Sequence, residues 1–190
     1  MTGRRSSPTA LGGAVTALAA LGLTACGAPT HQIIQPEPAT FTYELPIEFV
    51  ELGEPDAAGT SYGLPGAAAD TLAGEPVVLT ATSPDGGSQS YRSLRELATG
   101  GQFDPLNPDP ALVDTAASQT TLINYAEISE PDVWGLRMQL TIGDLVIDYQ
   151  ALVDRRTDNV VLTEVYCTLA CFTDQVDLID DIQTSWQLES

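Results

Sequence analysis

Apolar and polar residues alternate most regularly between Trp134 and Val153. Over residues 134–142, Trp134, Leu136, Met138, Leu140 and Ile142 alternate with Gly135, Arg137, Gln139 and Thr141. That is the period-two pattern of a strand buried on one face. Leu145, Ile147, Tyr149, Ala151 and Val153 form the apolar set of the next run, and Gly143-Asp144 separates the two. A two-residue hairpin loop there fixes a register: Ile142 opposite Leu145, Leu140 opposite Ile147, Met138 opposite Tyr149, Leu136 opposite Ala151, Trp134 opposite Val153. The other face pairs Gln139 with Asp148 and Arg137 with Gln150, and this polar face is expected to meet solvent.

Similar patterns predict strands over residues 160–169, after the polar turn 154–159, and over 121–128 and 77–82. Residues 41–45 and 47–52 read as a short first hairpin broken at Pro46. Helical spacing appears twice. Residues 90–99 set Tyr91, Leu94, Leu97 and Ala98 on one side and end at Gly100-Gly101. Residues 174–188 do the same with Val176, Ile179, Ile182 and Trp186, with Thr173 as candidate N-cap and Asp174 and Asp177 near the positive end of the dipole. Both helices are expected to cover the apolar face of one antiparallel sheet, which gives an α+β domain.

The amino terminus follows a different pattern. Residues 1–8 carry Arg4 and Arg5 and no acid, and residues 10–23 are apolar, shorter than the roughly 20 residues that span a bilayer comfortably. This is a signal peptide pattern. It runs directly into Leu23-Thr24-Ala25-Cys26-Gly27, which resembles the lipobox of bacterial lipoproteins. The resemblance implies a diacylglyceryl group on the Cys26 sulfur and cleavage before Cys26. Two acyl chains, at about 0.8 kcal/mol per buried methylene, anchor stably where one does not. The chain thus divides into a signal peptide (1–25), a lipidated cysteine with an extended linker (26–40) and one globular domain (41–190). The linker contains Pro29, Pro36 and Pro38 and the single histidine, His31, expected to be solvated. The expected location is the outer face of the cell membrane, with the export route left open between general secretion and the twin-arginine pathway.

Charge and chemistry narrow the function classes. The formal charge is -19, and without Arg4 and Arg5 it is -21; every basic side chain is Arg. Such a polyanion repels nucleic acid and anionic headgroups. The mature domain offers no histidine or lysine as a general base, so nucleophile-base and Schiff-base arrangements are excluded there. Carboxylate chemistry remains, and the loop 103–114 offers Asp104, Asn107, Asp109 and Asp114, but three prolines interrupt it and it lacks a calcium-loop pattern. The acidic trio Asp177, Asp180 and Asp181 reads as a solvated helix face. No metal and no cofactor are expected.

Cys167 and Cys171 remain once Cys26 is acylated, and an even remainder outside the cytoplasm suggests a disulfide, with free buried thiols as the alternative. In an extended strand they would stand roughly 13 Å apart, so a bridge requires a turn at residues 168–170.

The order of elements resembles PsbP-like domains. The residues that carry this are an early strand opening with Phe41-Thr42-Tyr43-Glu44-Leu45-Pro46, a helix near 90–99, a strand meander, and a terminal Asp181-Ile182-Gln183-Thr184-Ser185-Trp186. Within that fold the chain looks most like LpqN-type lipoproteins of mycobacteria and relatives. The resemblance implies an αβα sandwich and a non-catalytic envelope role, and it carries over no catalytic residue. The expected function is a binding or accessory module for envelope proteins, transport proteins included. The alternatives are a carrier of a small apolar or lipid ligand and a carboxylate-dependent hydrolase. The anchor is directly testable: Cys26→Ala is expected to abolish acyl labelling and to move the protein out of the membrane fraction. A native protein that begins with Met1, or a variant that fractionates unchanged, overturns it.

Overall fold

The register set at Gly143-Asp144 runs through the centre of the molecule. In the computed structural model, strand β7 (Val133–Ile142) pairs with β8 (Leu145–Asp154) from Ile142–Leu145 to Trp134–Val153, each of the five apolar pairs in the expected place. Gly143 has a φ of +61°, the left-handed backbone that a two-residue hairpin demands. Gly135 has its own reason: a Cβ there would collide with the carbonyl oxygen of Ala151. The structure describes residues 30–36, 40–53, 59–67, 74–83, 86–108 and 119–189; Cys26, Asp109 and Asp114 lie outside the described residues.

Around this hairpin the described chain forms β1 (His31–Ile34), β2 (Phe41–Pro46), β3 (Val50–Glu51), β4 (Thr60–Gly63), β5 (Val77–Ser83), α1 (Tyr91–Leu97) and β6 (Thr120–Ser129) before β7. After β8 come β9 (Val160–Thr168), α2 (Leu169–Asp174), α3 (Val176–Thr184) and β10 (Gln187–Leu188). Two antiparallel sheets result. One has seven strands in the order β3-β4-β5-β9-β8-β7-β6, and the other three in the order β1-β2-β10.

The seven-stranded sheet is covered on both sides. On one face, Leu94 and Ala98 of the α1 region pack on Leu136, Met138, Leu140, Tyr149, Ala151 and Val153. On the other, Phe41, Tyr43 and Leu45 of β2 and Ile179 and Ile182 of α3 pack on Leu152, Val161 and Val165. The two helices therefore lie on opposite faces rather than sharing one, and Asp148 and Gln150, expected toward solvent, are buried. Local alternation does not reveal a second layer, because a polar residue reads the same whether water or a hydrogen-bonded layer receives it.

Three further expectations are corrected. Residues 41–45 and 47–52 do not form a hairpin: β2 pairs with β1 and β10, while β3 joins β4 in the larger sheet. Part of the expected linker, His31–Ile34, is strand β1, held by Gln32 Nε2 donating to the carbonyls of Pro46 and Phe49 at 3.1 and 2.6 Å. The terminal helix stops at Thr184, and Gln187–Leu188 returns as a strand on β2. Its expected cap is also different, since the Thr173 hydroxyl donates to Leu169 O inside α2 and Gln175 starts α3 without a side-chain cap. Helix α1 matches its expected span and begins with Ser90 and Ser93 in a reciprocal capping box.

Cys167 and Cys171 are joined by a disulfide with their Cα atoms 5.9 Å apart. The chain turns from β9 into α2 there, capped by Thr168 Oγ1 accepting from the Cys171 N–H at 3.3 Å.

The β8–β9 turn fastens the front of β2. Asp154 is fully buried, and its carboxylate accepts from Thr40 Oγ1 at 2.6 Å, Arg156 N–H at 2.8 Å and Thr157 Oγ1 at 3.0 Å. Burial pushes this carboxyl up, but the hydrogen bonds outweigh it and hold the pKa at about 2. A depressed carboxylate adds stability that is complete above the ordinary Asp pKa and vanishes as pH falls through the folded value. Asp154→Asn is therefore expected to cost about 2 kcal/mol near neutrality, with the gap to wild type closing between about pH 4 and pH 2. Thermal melts across that range check it; a gap that is constant with pH contradicts the assignment.

Candidate functional site

The most elaborate side-chain arrangement lies between β7, β8 and α3. Arg137 points from β7 toward the α3 side of the sheet, and its fork grips Asp148: Nε to Oδ1 and Nη2 to Oδ2, both 2.8 Å. Its remaining Nη1 reaches Asp180 Oδ1 on α3 at 2.7 Å. Gln139 Nε2 adds a fourth contact, to Asp148 Oδ2 at 2.8 Å. The Asp148 side chain has no exposure and Arg137 retains 19%. Burial works against the Arg137 charge, yet the hydrogen bonds and charges of Asp148 and Asp180 hold its pKa above the ordinary value.

Beneath this pair the polar layer continues inward. Gln183 Nε2 donates to Asp148 O at 2.6 Å, Gln150 Nε2 donates to Gln183 O at 2.9 Å, and the buried Tyr43 hydroxyl donates to Gln150 Oε1 at 3.4 Å. Burial raises the Tyr43 pKa, so it stays a neutral donor. The sequence made α3 amphipathic through Ile179 and Ile182, and Gln183 follows Ile182 onto the covered side. One end of this layer opens into a groove of about 380 Å³, lined by Ala126, Ile128, Glu130, Arg137, Thr184 and Trp186. Trp186 stands edge-on to Phe41 at 6.2 Å between ring centres, so its wall is fixed from behind.

The opposite face carries a second buried ion pair. Arg95 of α1 grips Asp104 through Nε and Nη2, each 2.7 Å from a carboxylate oxygen. Its Nη1 donates to Tyr125 Oη on β6 at 3.2 Å, and Tyr125 donates onward to Glu127 Oε1 at 2.9 Å. The guanidinium lies 5.6 Å from the Tyr125 ring centre. The Arg95 hydrogen bond, against burial, holds Asp104 below the usual carboxylate range.

The expected site residues distribute as follows. His31 is exposed at the head of β1, its Nδ1 2.9 Å from Thr30 Oγ1, beside a hollow of about 200 Å³ shared with Glu44, Asp181 and Ser185. Asp104 serves Arg95, and Asn107 turns the loop by donating its N–H to Asp104 O. Of the acidic trio only Asp180 has an ion pair among the described residues, and no group of potential ligands that could hold a metal occurs among them. Arg95, Arg137 and Gln183 carry the actual polar architecture and were missed. A usable signal existed for Arg137, a lone cation inside an apolar strand of a lysine-free chain.

No protein-family model matches the sequence, and none of the curated proteins does. Solved structures do resemble it. Cyanobacterial PsbP from Synechocystis aligns with a TM-score of 0.53 at 13% identity, covering 87% of this chain and 96% of that one. The chain has the PsbP-like fold. The Ran-binding protein Mog1p of Saccharomyces cerevisiae gives 0.52 at 8% identity over 83% and 95% of the two chains. LpqN, involved in cell envelope biogenesis of Mycobacterium tuberculosis, gives 0.47 at 11% over 84% and 91%, a likeness too loose to argue from.

In this PsbP-like sheet the Arg137–Asp148 pair sets a stability test. Removing one partner of a buried pair strands the other charge and costs about 3–5 kcal/mol, whereas replacing both with apolar residues is nearly neutral. Arg137→Met is expected to show that loss in urea denaturation, and Arg137→Met with Asp148→Leu to recover most of it. Equal destabilisation by both contradicts the pairing.

Proposed function

We propose that the protein is a lipid-anchored accessory module on the outer face of the cell membrane that binds envelope proteins, transport proteins among them, and performs no chemistry of its own. The observation that carries this reading is the employment of its buried carboxylates. Asp104 and Asp148 are each gripped by an arginine fork, and Asp154 is tied to the β8–β9 turn. A hydrolase built on carboxylates needs one of a pair held protonated near neutral pH. Asp104 and Asp154 are instead pushed the other way. Burial does raise Glu164, but its partners on the neighbouring strands are Tyr149 and Leu79, so no second carboxylate stands opposite it.

The fold is compatible with protein partners, since Mog1p, which shares it, is by name a Ran-binding protein. No helix among the described residues is long and apolar enough to cross a membrane, and this reading attaches the protein through the Cys26 lipid. A carrier would instead enclose its ligand. Here the space under α3 is filled by the hydrogen-bonded layer of Gln150, Gln183 and Asp148.

Crosslinking of the intact lipidated protein in living cells, read by mass spectrometry, tests this. Reproducible crosslinks from one face to membrane proteins are expected. Crosslinks to lipid alone, with lipid retained by the delipidated domain, replace the module by the carrier; loss of a measured activity on mutating an Asp or Glu pair replaces it by the enzyme.

A further inference from the structure

A sheet edge exposes backbone donors and acceptors that only another extended strand matches, and natural sheets shorten, charge or cover such edges. Most edges here obey this among the described residues: β3 and β10 have two residues each and β1 has four. Strand β6 has ten residues, ends the seven-stranded sheet, and leaves Thr121, Ile123, Asn124, Ala126, Glu127 and Ser129 exposed. A bulge between Leu122 and Asn124 interrupts its first half; from Asn124 to Ser129 the pairing with β7 is regular.

Alternation tells which peptide groups face outward. Ile142 and Leu145 close the two-residue hairpin as a hydrogen-bonded pair, so the even residues of β7 turn toward β8 and the odd ones toward β6. Asn124, Ala126 and Ile128, opposite Gln139, Arg137 and Gly135, therefore turn inward, and Tyr125, Glu127 and Ser129 turn outward. The Tyr125 N–H is taken by Asn124 Oδ1 at 2.9 Å, while the peptide groups of Glu127 and Ser129 have no partner among the described residues.

We propose that this half of β6 receives, by strand addition, an extended segment of an envelope protein whose side chains alternate basic and apolar. The inference rests on the reading of the chain as a protein-binding module and names its docking mode. Both halves of the alternation follow from what flanks the edge. On the α1 face the added strand meets Glu127, whose carboxylate accepts from the Tyr125 hydroxyl and is in no ion pair among the described residues. Arg95, which reaches Tyr125, and Arg137 on the neighbouring strand are already held by Asp104 and Asp148, while Arg155 lies beyond the end of the strand, its N–H on Asp132 O at 2.9 Å. The local field is therefore negative, on a chain of charge -19. On the other face the added strand lies beside Ala126 and Ile128, where apolar side chains fit, with Glu130 beyond them in the groove walled by Trp186. Basic side chains every second residue, with apolar ones between, satisfy both faces at once.

A synthetic peptide of about eight residues alternating Lys and Val tests the inference against the isotopically labelled, folded protein. Binding is expected to protect the amides of Glu127 and Ser129 from hydrogen exchange. It is expected to weaken about fivefold as ionic strength rises from roughly 0.05 to 0.5 M, and to fail with the matching Glu-Val peptide. Glu127→Pro removes an outward N–H without breaking the β7 ladder and is expected to abolish binding, whereas Glu127→Gln weakens it only in part. Full N-methylation of the peptide must also abolish binding, a control that leaves the protein untouched. Absence of protection at millimolar peptide, equal binding of the N-methylated form, or a dimer of the free protein that itself protects β6 overturns the inference. None of these results bears on the module reading, which fails only if crosslinking finds no protein partner; partners crosslinked away from β6 leave that reading standing and remove this one.

Discussion

Asp148 is a carboxylate with no solvent contact in the middle of the central hairpin, and the α3 side of the molecule is organised around supplying its hydrogen-bond partners. A lone buried carboxylate is several kcal/mol from tolerable, so partners must converge on it from more than one element. Arg137 supplies the fork from β7, and Gln139 supplies another donor two residues on. Arg137 then extends to Asp180, which ties α3 to the sheet at a defined height. With α3 placed, Gln183 falls over the Asp148 carbonyl and Gln150 beneath Gln183, and β2 brings Tyr43 to Gln150. The apolar contacts of Ile179 and Ile182 supply most of the burial, but they would tolerate sliding. The ion pair and amides select one position.

This explains which parts of the fold were legible in the sequence. The central hairpin could be read residue by residue because its register is set by a two-residue loop and five adjacent apolar pairs, all local information. Helix α1 was legible for the same reason: Ser90 and Ser93 cap it within its own first turn. The failures share an opposite cause. Strand β2 looks like half of a hairpin until residues 31–34 and 187–188 flank it, and those partners come from the two ends of the domain. The terminal segment keeps helical spacing up to Trp186, yet its last residues gain more by pairing with β2 than by another turn. The polar face of β8 was misassigned because alternation reports only that one side differs from the other.

The candidate site was less legible still. Arg137 and Asp148 were placed on the same face of adjacent strands by the register, with Asp148 opposite Gln139 and Gln150 opposite Arg137. The bond forms on the diagonal, a reach available to a long guanidinium side chain but invisible to a scheme of directly opposed pairs. Arg95 shows the same limitation on the other face. Its helix was recognised, but its partners Asp104 and Tyr125 arrive from a loop and from β6. The cysteine pair was the exception, since a spacing of four residues and a required turn left only a local question, which α2 answers.

The two arginines also bear on where the molecule can act. They lie on opposite faces of the sheet, and each anchors a position next to β6: Arg95 through Tyr125, Arg137 on the neighbouring strand. An edge strand without such support frays, and a frayed edge is a poor template because a partner must first order it. Here buried ion pairs already order the strand, while the outward peptide groups of Glu127 and Ser129 have no partner among the described residues. The same pairing removes the cationic charge that would otherwise offset Glu127. Stability in the interior and acidity at the edge are thus linked: Arg95 and Arg137, the two arginines that flank β6, are spent on buried carboxylates, which leaves Glu127 unpaired by a cation among the described residues.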